Sequence, residues 1–514
     1  MRVFVMGASG YVGGAVARAF AAAGHSLTGL VRGPEKAARR EGRGVRIGAL
    51  ALVLAAVPAG AQEEDGYSMA SYRRARAEVE AGLAALGGPA PALSFTLEGS
   101  RGLRGQSAGP ESAGERTPHR LRVMVEPARE RALLEMESHL PGGIHFVMRR
   151  VAQGRAGFWI DVPKTRMGPA LFELAAPAAA AVRTQAARTV PQLLLAQALA
   201  RPATLRDLGT VTRDGRPHRA VAYATEEGAQ VTLFLDSGTR LLSAYELLED
   251  NAGVGDVLTE VRFADYADAA GVRLPTRYQV RQNGVVDQDL RYTAVAAGAL
   301  PDSLFAAPAG YTPPPPAGAA SVQTVAEGVY LLERLAGGYR SMFVDMGDHV
   351  LVVEAPFSSA ASEAALGLIR QTLPGKPVRY VVVTHRHIDH IGGVRPYVAA
   401  GAVLVAPTGA EPALRDLAAV RRTLAAGPVD RAPGEPRIET VADRRVFQGA
   451  GRRVEVISTG GGSHVDSELV VYLPDQRLLY QGDFVTFPDY GGNAPDLPVT
   501  RELARLIRQL GLDV

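Results

Sequence analysis

Pro377-Val-Arg-Tyr-Val-Val-Val-Thr384 runs directly into His385-Arg-His387-Ile-Asp389-His390-Ile-Gly-Gly393. The first eight residues are a nearly continuous apolar run, the composition of a strand buried on both faces of a sheet. Three of the ten histidines of the chain then fall within six residues, with a carboxylate among them. The chain turns where a strand ends, so His385 and His387 are expected to point to one side and Asp389 and His390 to another. Neutral imidazole and carboxylate suit Zn²⁺ or Fe²⁺, and two adjacent trios would hold two ions. Gly392-Gly393 would let the following helix pack close to the sheet.

Further pieces flank this run. Gly328-Val-Tyr330 and Val350-Leu-Val-Val-Glu354 read as strands upstream of it. Downstream, the strand Val454-Glu-Val-Ile457 precedes Gly461-Gly-Ser-His464, and a hairpin over 468–480 leads to Gly482-Asp483. In this order, residues 322–514 resemble the metallo-β-lactamase superfamily, whose His-x-His-x-Asp-His signature 385–390 repeats. The resemblance implies an α/β fold, the αββα sandwich of that family. It implies a first metal held by His385, His387 and His464. A second would take Asp389, His390 and Asp483, plus a further histidine that the family supplies near its C-terminus. No histidine follows His464 in this chain. The second set is therefore expected to be incomplete, the chain stopping short of the strand that carries the last ligand.

Hydrolysis is the chemistry so implied. A metal pair lowers the pKa of bound water towards about 7, and the resulting hydroxide attacks an ester, lactone, thioester or amide of a small-molecule substrate. Asp389 would be the catalytic residue, orienting that hydroxide and accepting a proton. Phe487 and Tyr490, in the loop after Asp483, are candidates for substrate contact. One or two Zn²⁺ are the expected cofactors, with Fe²⁺ as the alternative ion. Two other classes stay open: a mono-iron oxidoreductase similar to the persulfide dioxygenases, and a lipid or lipoprotein carrier with an inactive metal domain.

Composition narrows the field. The 514 residues carry 56 Lys+Arg against 53 Asp+Glu, a formal net charge of +3, which gives no global field to hold a nucleic acid. Only three of the cations are lysines. Cysteine is absent, which excludes disulfides, a thiol nucleophile and thiolate ligands, so any metal must be held by His and carboxylates. The absence also argues against the β-lactamase subclasses with a thiolate in the second site.

The remaining chain reads as several unlike segments. Met1-Arg-Val-Phe-Val-Met, then Gly7-Ala-Ser-Gly10-Tyr-Val-Gly13 and a strand over 27–31 ending at Arg32, resemble the opening of the atypical short-chain dehydrogenase and epimerase family. The resemblance implies a Rossmann-like βαβ fragment over 1–38 with Gly7, Gly10, Gly13 and Arg32 as the NADP-facing positions. No further βα unit follows, so NADP binding is not expected. Arg39, Arg40, Arg43 and Arg46, an apolar core over 47–57 and Ala59-Gly-Ala61 are the three parts of an export signal, too short to span a bilayer. Use of this segment over 39–61 would place the protein in the periplasm or outside the cell. A genuine N-terminal fragment would instead leave it in the cytoplasm.

Residues 67–311 read as mostly β. Helical patterns lie at 71–86 and 191–200, and Asn283-Gly284 supplies a tight hairpin turn. Hairpins wrapped on helices, with Phe263 to Tyr278 as the most telling stretch, resemble the periplasmic lipoprotein-carrier proteins, whose half-barrel holds a lipid or acyl chain. His119, His139, His145 and His218 are read here as structural or solvated. Thr312-Pro-Pro-Pro-Pro-Ala-Gly-Ala-Ala320 is a stiff spacer, and 312–321 is the clearest domain boundary.

Overall fold

Alternating apolar and polar residues drive most of the middle of the chain into strands, and the computed structural model joins thirteen of them into one antiparallel sheet. It describes residues 68–514 except 104, 108–113, 252–254, 317, 336–337, 421, 426, 428, 430–433, 486–489 and 491–494, together with three short N-terminal strands. Contacts divide the chain into two units, Met1–Glu64 and Asp65–Val514.

In the first unit Arg2–Val5 pairs parallel with Ser26–Gly29, which pairs parallel with Val45–Ile47. The third strand falls in the basic flank of the leader-like segment, where two β-branched residues bracket Arg46 and favour an extended backbone. Gly7, Gly10, Gly13, Arg32 and the apolar core of the leader-like segment after Ile47 lie outside the described residues.

In the second unit the large sheet is entered at its middle. Leu93–Gly102 begins a run of hairpins ending at the edge strand Leu171–Leu174. The chain resumes at the opposite edge with Arg206–Arg213 and meanders back to Val285–Ala297, which pairs with Leu93–Gly102 and joins the halves. Asn283 (φ 47°) and Gly284 (φ 81°) make the expected tight turn in the last hairpin. Helices Met69–Ala85, Ala176–Ala187 and Pro191–Leu199 cover one face. Their Ala75, Val79, Val182, Leu194 and Leu195 form a single core with Leu93, Phe95, Leu97, Leu233 and Leu235 of the sheet. Helices thus cover this face of the sheet. Two cavities remain there, one of about 520 Å³ lined by Ala187, Leu193, Ala196 and Tyr223 among others, and one of about 240 Å³ lined by Arg150, Arg188 and Glu249 as well as by apolar residues.

Beyond 312–321 the chain builds four layers. A seven-stranded sheet runs from Ser321–Ala326 to Arg437–Val441, antiparallel at first and parallel from Val350–Val353 onward. Its outer face packs on helices Ser359–Thr372, Val394–Ala399 and Glu411–Ala419. Its inner face meets a four-stranded sheet, Arg444–Gly449 to Leu478–Tyr480, through Val344, Val353, Val382, Val456 and Val471. Helix Pro498–Leu510 covers the far side of that second sheet with Val499 and Leu503. The spacer is anchored at its start, since Thr312 exchanges backbone hydrogen bonds with Pro169 and Leu171. It separates two cores, yet loops of the β domain cross to the second.

Candidate metal centre

Val378–Val382 is an inner parallel strand of the seven-stranded sheet, and the candidate ligand-bearing turn starts just past its end, where βα loops gather functional groups. The turn is tight because of its glycines. A Cβ on Gly392 would overlap the Phe357 carbonyl, and one on Gly393 would collide with Ser362 and the Ser358 carbonyl. His385, His387 and His464 are 0%, 1% and 2% exposed, so water cannot satisfy their ring nitrogens.

The partners of the outer nitrogens assign the tautomers. His387 Nε2 lies 3.0 Å from the Ser107 carbonyl and His464 Nδ1 3.2 Å from the Pro141 carbonyl, so each of these nitrogens must donate. His385 Nδ1 faces Thr384 Oγ1 at 3.0 Å and the Glu468 carboxyl at 3.8 Å. The lone pairs of His387 Nδ1 and His464 Nε2 are thereby left pointing inward, beside the inner nitrogen of His385. His385 Nε2 stands 3.0 Å from His387 Nδ1 and 3.4 Å from His464 Nε2. Lone pairs this close repel unless a cation sits among them, so this donor set fits a metal ion. Asp483 joins it, with Oδ2 3.4 Å from His464 Nε2.

The second trio has the same logic. His390 Nδ1 hydrogen-bonds Glu354 Oε2 at 3.1 Å, which turns Nε2 toward Asp483 Oδ1, also at 3.1 Å. That Nε2 is buried and has no hydrogen bond of good geometry. The ligand atoms of Asp389, His390 and Asp483 lie within 4.8 Å of one another, as do those of His385, His387, His464 and Asp483. Asp483 belongs to both groups and stands between them. Glu354, the orienting residue, is held at φ 80°, a left-handed conformation stored at the strand end beside the centre.

Electrostatics favour positive charge in this place. Burial opposes charging His390, but Asp483, Glu354 and Asp389 outweigh it and hold its pKa well above the usual range. His464 is also raised against its burial, by the hydrogen bond and charge of Asp483. Burial likewise works against Asp483 ionising, and His390 and His464 overcome it, so its pKa falls well below that of an ordinary carboxyl. His385 and His387 are pushed down, chiefly by burial, which keeps them neutral as a ligand would need to be. Burial lifts the Glu468 carboxyl to about 8.

Asp389 is held from two sides. Its Oδ1 accepts from Gln106 Nε2 and its Oδ2 from the Tyr339 hydroxyl, both at 2.5 Å. Burial and Asp389 push the Tyr339 phenol up, so it remains a donor.

The sequence profile of the metallo-beta-lactamase superfamily matches residues 336–513. The C-terminal domain is a metallo-β-lactamase superfamily domain. The chain is 28% identical over 172 residues to an alkyl/aryl-sulfatase of Saccharomyces cerevisiae, covering 27% of this chain and 26% of the relative. It is 27% identical over 182 residues to the 2,4-dinitroanisole O-demethylase subunit alpha of a Nocardioides species, covering 34% of this chain and 50% of the relative. The matched regions thus span a quarter to a half of those curated relatives. Among solved structures, a metallo-beta-lactamase from Pontibacter korlensis aligns with a TM-score of 0.29 at 23% identity, over 38% of this chain and 87% of that one.

Every metal-set residue named from the sequence therefore lies in the superfamily domain and at one centre. Phe487 lies outside the described residues, and Tyr490 packs edge-on against Phe172, 5.3 Å between rings, instead of lining the cavity beside His390. Sequence reading missed the support from the β domain. Gln106, Ser107 and Pro141 reach Asp389, His387 and His464, the Gly105 carbonyl accepts from Ile388 N at 2.9 Å, and Gly142 N donates to the Ser463 carbonyl at 2.7 Å. Nothing in Pro141-Gly142-Gly143 pointed to a histidine over 300 positions away.

Proposed function

We propose that this protein is a metal-dependent hydrolase whose substrate is a compact ester carrying negative charge. The observation that carries the reading is the cavity of about 420 Å³ that His390 and Asp483 share with Arg166 and Arg340. Arg166 comes from the β domain and forms no ion pair among the described residues, which suits it to an anionic group on a substrate. Tyr339 lines the same cavity, with its hydroxyl proton given to Asp389 Oδ2.

One or two divalent ions, zinc or iron, held by His385, His387 and His464 and by Asp389, His390 and Asp483, would supply Lewis acidity and lower the pKa of water towards about 7. The chain's own residues do the remainder. Glu354 aims His390, and the Ser107 and Pro141 carbonyls aim His387 and His464. Gln106 and Tyr339 hold Asp389 where it can orient the attacking water and take its proton. Arg166 would position the substrate by its charge, leaving the scissile bond toward Asp483.

The test is a substrate panel on zinc-loaded protein: an aryl sulfate, an aryl carboxylate ester, a lactone and a β-lactam. The sulfate comes first, after the relative named an alkyl/aryl-sulfatase. Turnover of a charged ester that Asp483→Ala abolishes, with Arg166→Ala raising KM for that ester and not for a neutral one, is the expected result. No turnover of any member would overturn the hydrolase reading. Equal KM effects on charged and neutral substrates would overturn the anionic one.

A further inference from the structure

Arg131–Leu140 and Ile144–Gln153 form an antiparallel hairpin of the large sheet, closed by Pro141–Gly143. Side chains alternate along a strand, so Glu137 and His139 share one face. His145 pairs directly across from His139 and joins that face. The two imidazoles stack, 4.5 Å between ring centres and 20° between planes. Glu137 Oε1 lies 3.1 Å from His145 Nε2 and 3.8 Å from His139 Nε2. One ligand atom from each of the three residues falls within 4.8 Å of the others.

We propose that Glu137, His139 and His145 form a solvent-facing site for a divalent cation of the zinc class, separate from the buried centre. Zinc bonds of about 2.0–2.2 Å in tetrahedral array place neighbouring donors roughly 3.3 Å apart. The two Glu137 distances bracket that spacing. Half-exposed side chains can close the small difference by rotamer adjustment, and they leave the fourth position to water. Two imidazoles and one carboxylate also form the ligand set of catalytic zinc sites, and they suit nickel and copper ions on the same grounds. Pairing across the sheet sets the two histidines side by side before any ion arrives, so binding need not bring distant segments together. No residue of the buried centre takes part.

The position carries a consequence. The turn that closes this hairpin supplies the Pro141 carbonyl to His464 Nδ1 and the Gly142 N–H to the Ser463 carbonyl. An ion that clamps His139 to His145 braces the two strands just before the turn that aims a ligand of the buried centre.

The experiment measures zinc bound per full-length chain, by equilibrium dialysis with metal analysis across a range of free zinc. His145→Ala, His139→Ala and Glu137→Gln are run beside the parent, and again in a His387→Ala background. The parent should bind one more, weaker zinc than either histidine variant, and Glu137→Gln should shift that binding step to at least about tenfold higher free zinc. The one-ion difference should persist in the His387→Ala background, which separates it from the buried centre and from the hydrolase reading. All three residues are read independently, so misfolding of one variant leaves the others decisive. Identical stoichiometry and binding curves in the parent and its folded variants overturn the site.

Discussion

The buried histidines of the metal-centre region and of the β-rich region before it meet different surroundings. In the C-terminal domain four buried imidazoles, His385, His387, His390 and His464, turn ring nitrogens toward a common space and are crowded by carboxylates. In the β domain His119 and His218 are buried singly, with a hydroxyl and a backbone carbonyl as their partners. Burial is similar in both places, and the difference lies in what faces the second nitrogen. An imidazole with one donor and one acceptor satisfied is packing material. One with its lone pair aimed at other lone pairs is a ligand. The β domain nevertheless enters the centre, through Gln106 and through the Ser107 and Pro141 carbonyls. Its share lies in orientation, while the C-terminal domain supplies the donor atoms.

Three experiments press on that contrast. The largest effect is expected from His387→Ala. The variant keeps only His385, His464 and Asp483 of that group, so the tighter ion should need at least about tenfold more free metal to bind. An unshifted binding curve would mean that His387 is not a ligand and that the contrast between the domains is false.

A smaller effect should come from pH. Burial, helped by Arg101, pushes His119 down to about 4. The unfolded chain, with an ordinary histidine near pH 6.5, binds a proton that the folded chain refuses. Stability from this group is therefore fully present above about pH 6.5 and lost as pH falls toward about 4, by up to about 3 kcal/mol. Urea midpoints at pH 7 and pH 4.5 should converge in His119→Gln relative to the parent, with metal content unchanged. Loss of metal in that variant would make His119 more than packing and blur the distinction.

The smallest effect falls on Gln106→Ala. Removing a neighbour that orients a ligand costs on the order of tenfold in turnover, while the directly held ions stay in place. Unchanged turnover would show that the β domain contributes nothing through this contact.

Much of this was legible in local pattern. The buried strand before His385, the glycine pair 392–393 and the Asn283-Gly284 turn each act through neighbours in sequence, so period and turn chemistry revealed them. The helices over 69–85 and 191–199 followed in the same way. Tyr490 went to packing against Phe172 because an aromatic ring carries no mark that tells core from cavity. His139 and His145 read as scattered because only strand register sets them side by side.

The order of residues alone determined which side chains can donate to a metal, since ligand chemistry is a property of residue type and the spacing from His385 to His390 places most donors on one turn. Tertiary structure alone decided what aims them. The carbonyls of Ser107 and Pro141 have no side-chain signature, any residue could supply them, and they reach their histidines across 280 and 323 positions of chain. Contacts of that kind arise from how two cores pack, and packing depends on every residue in both.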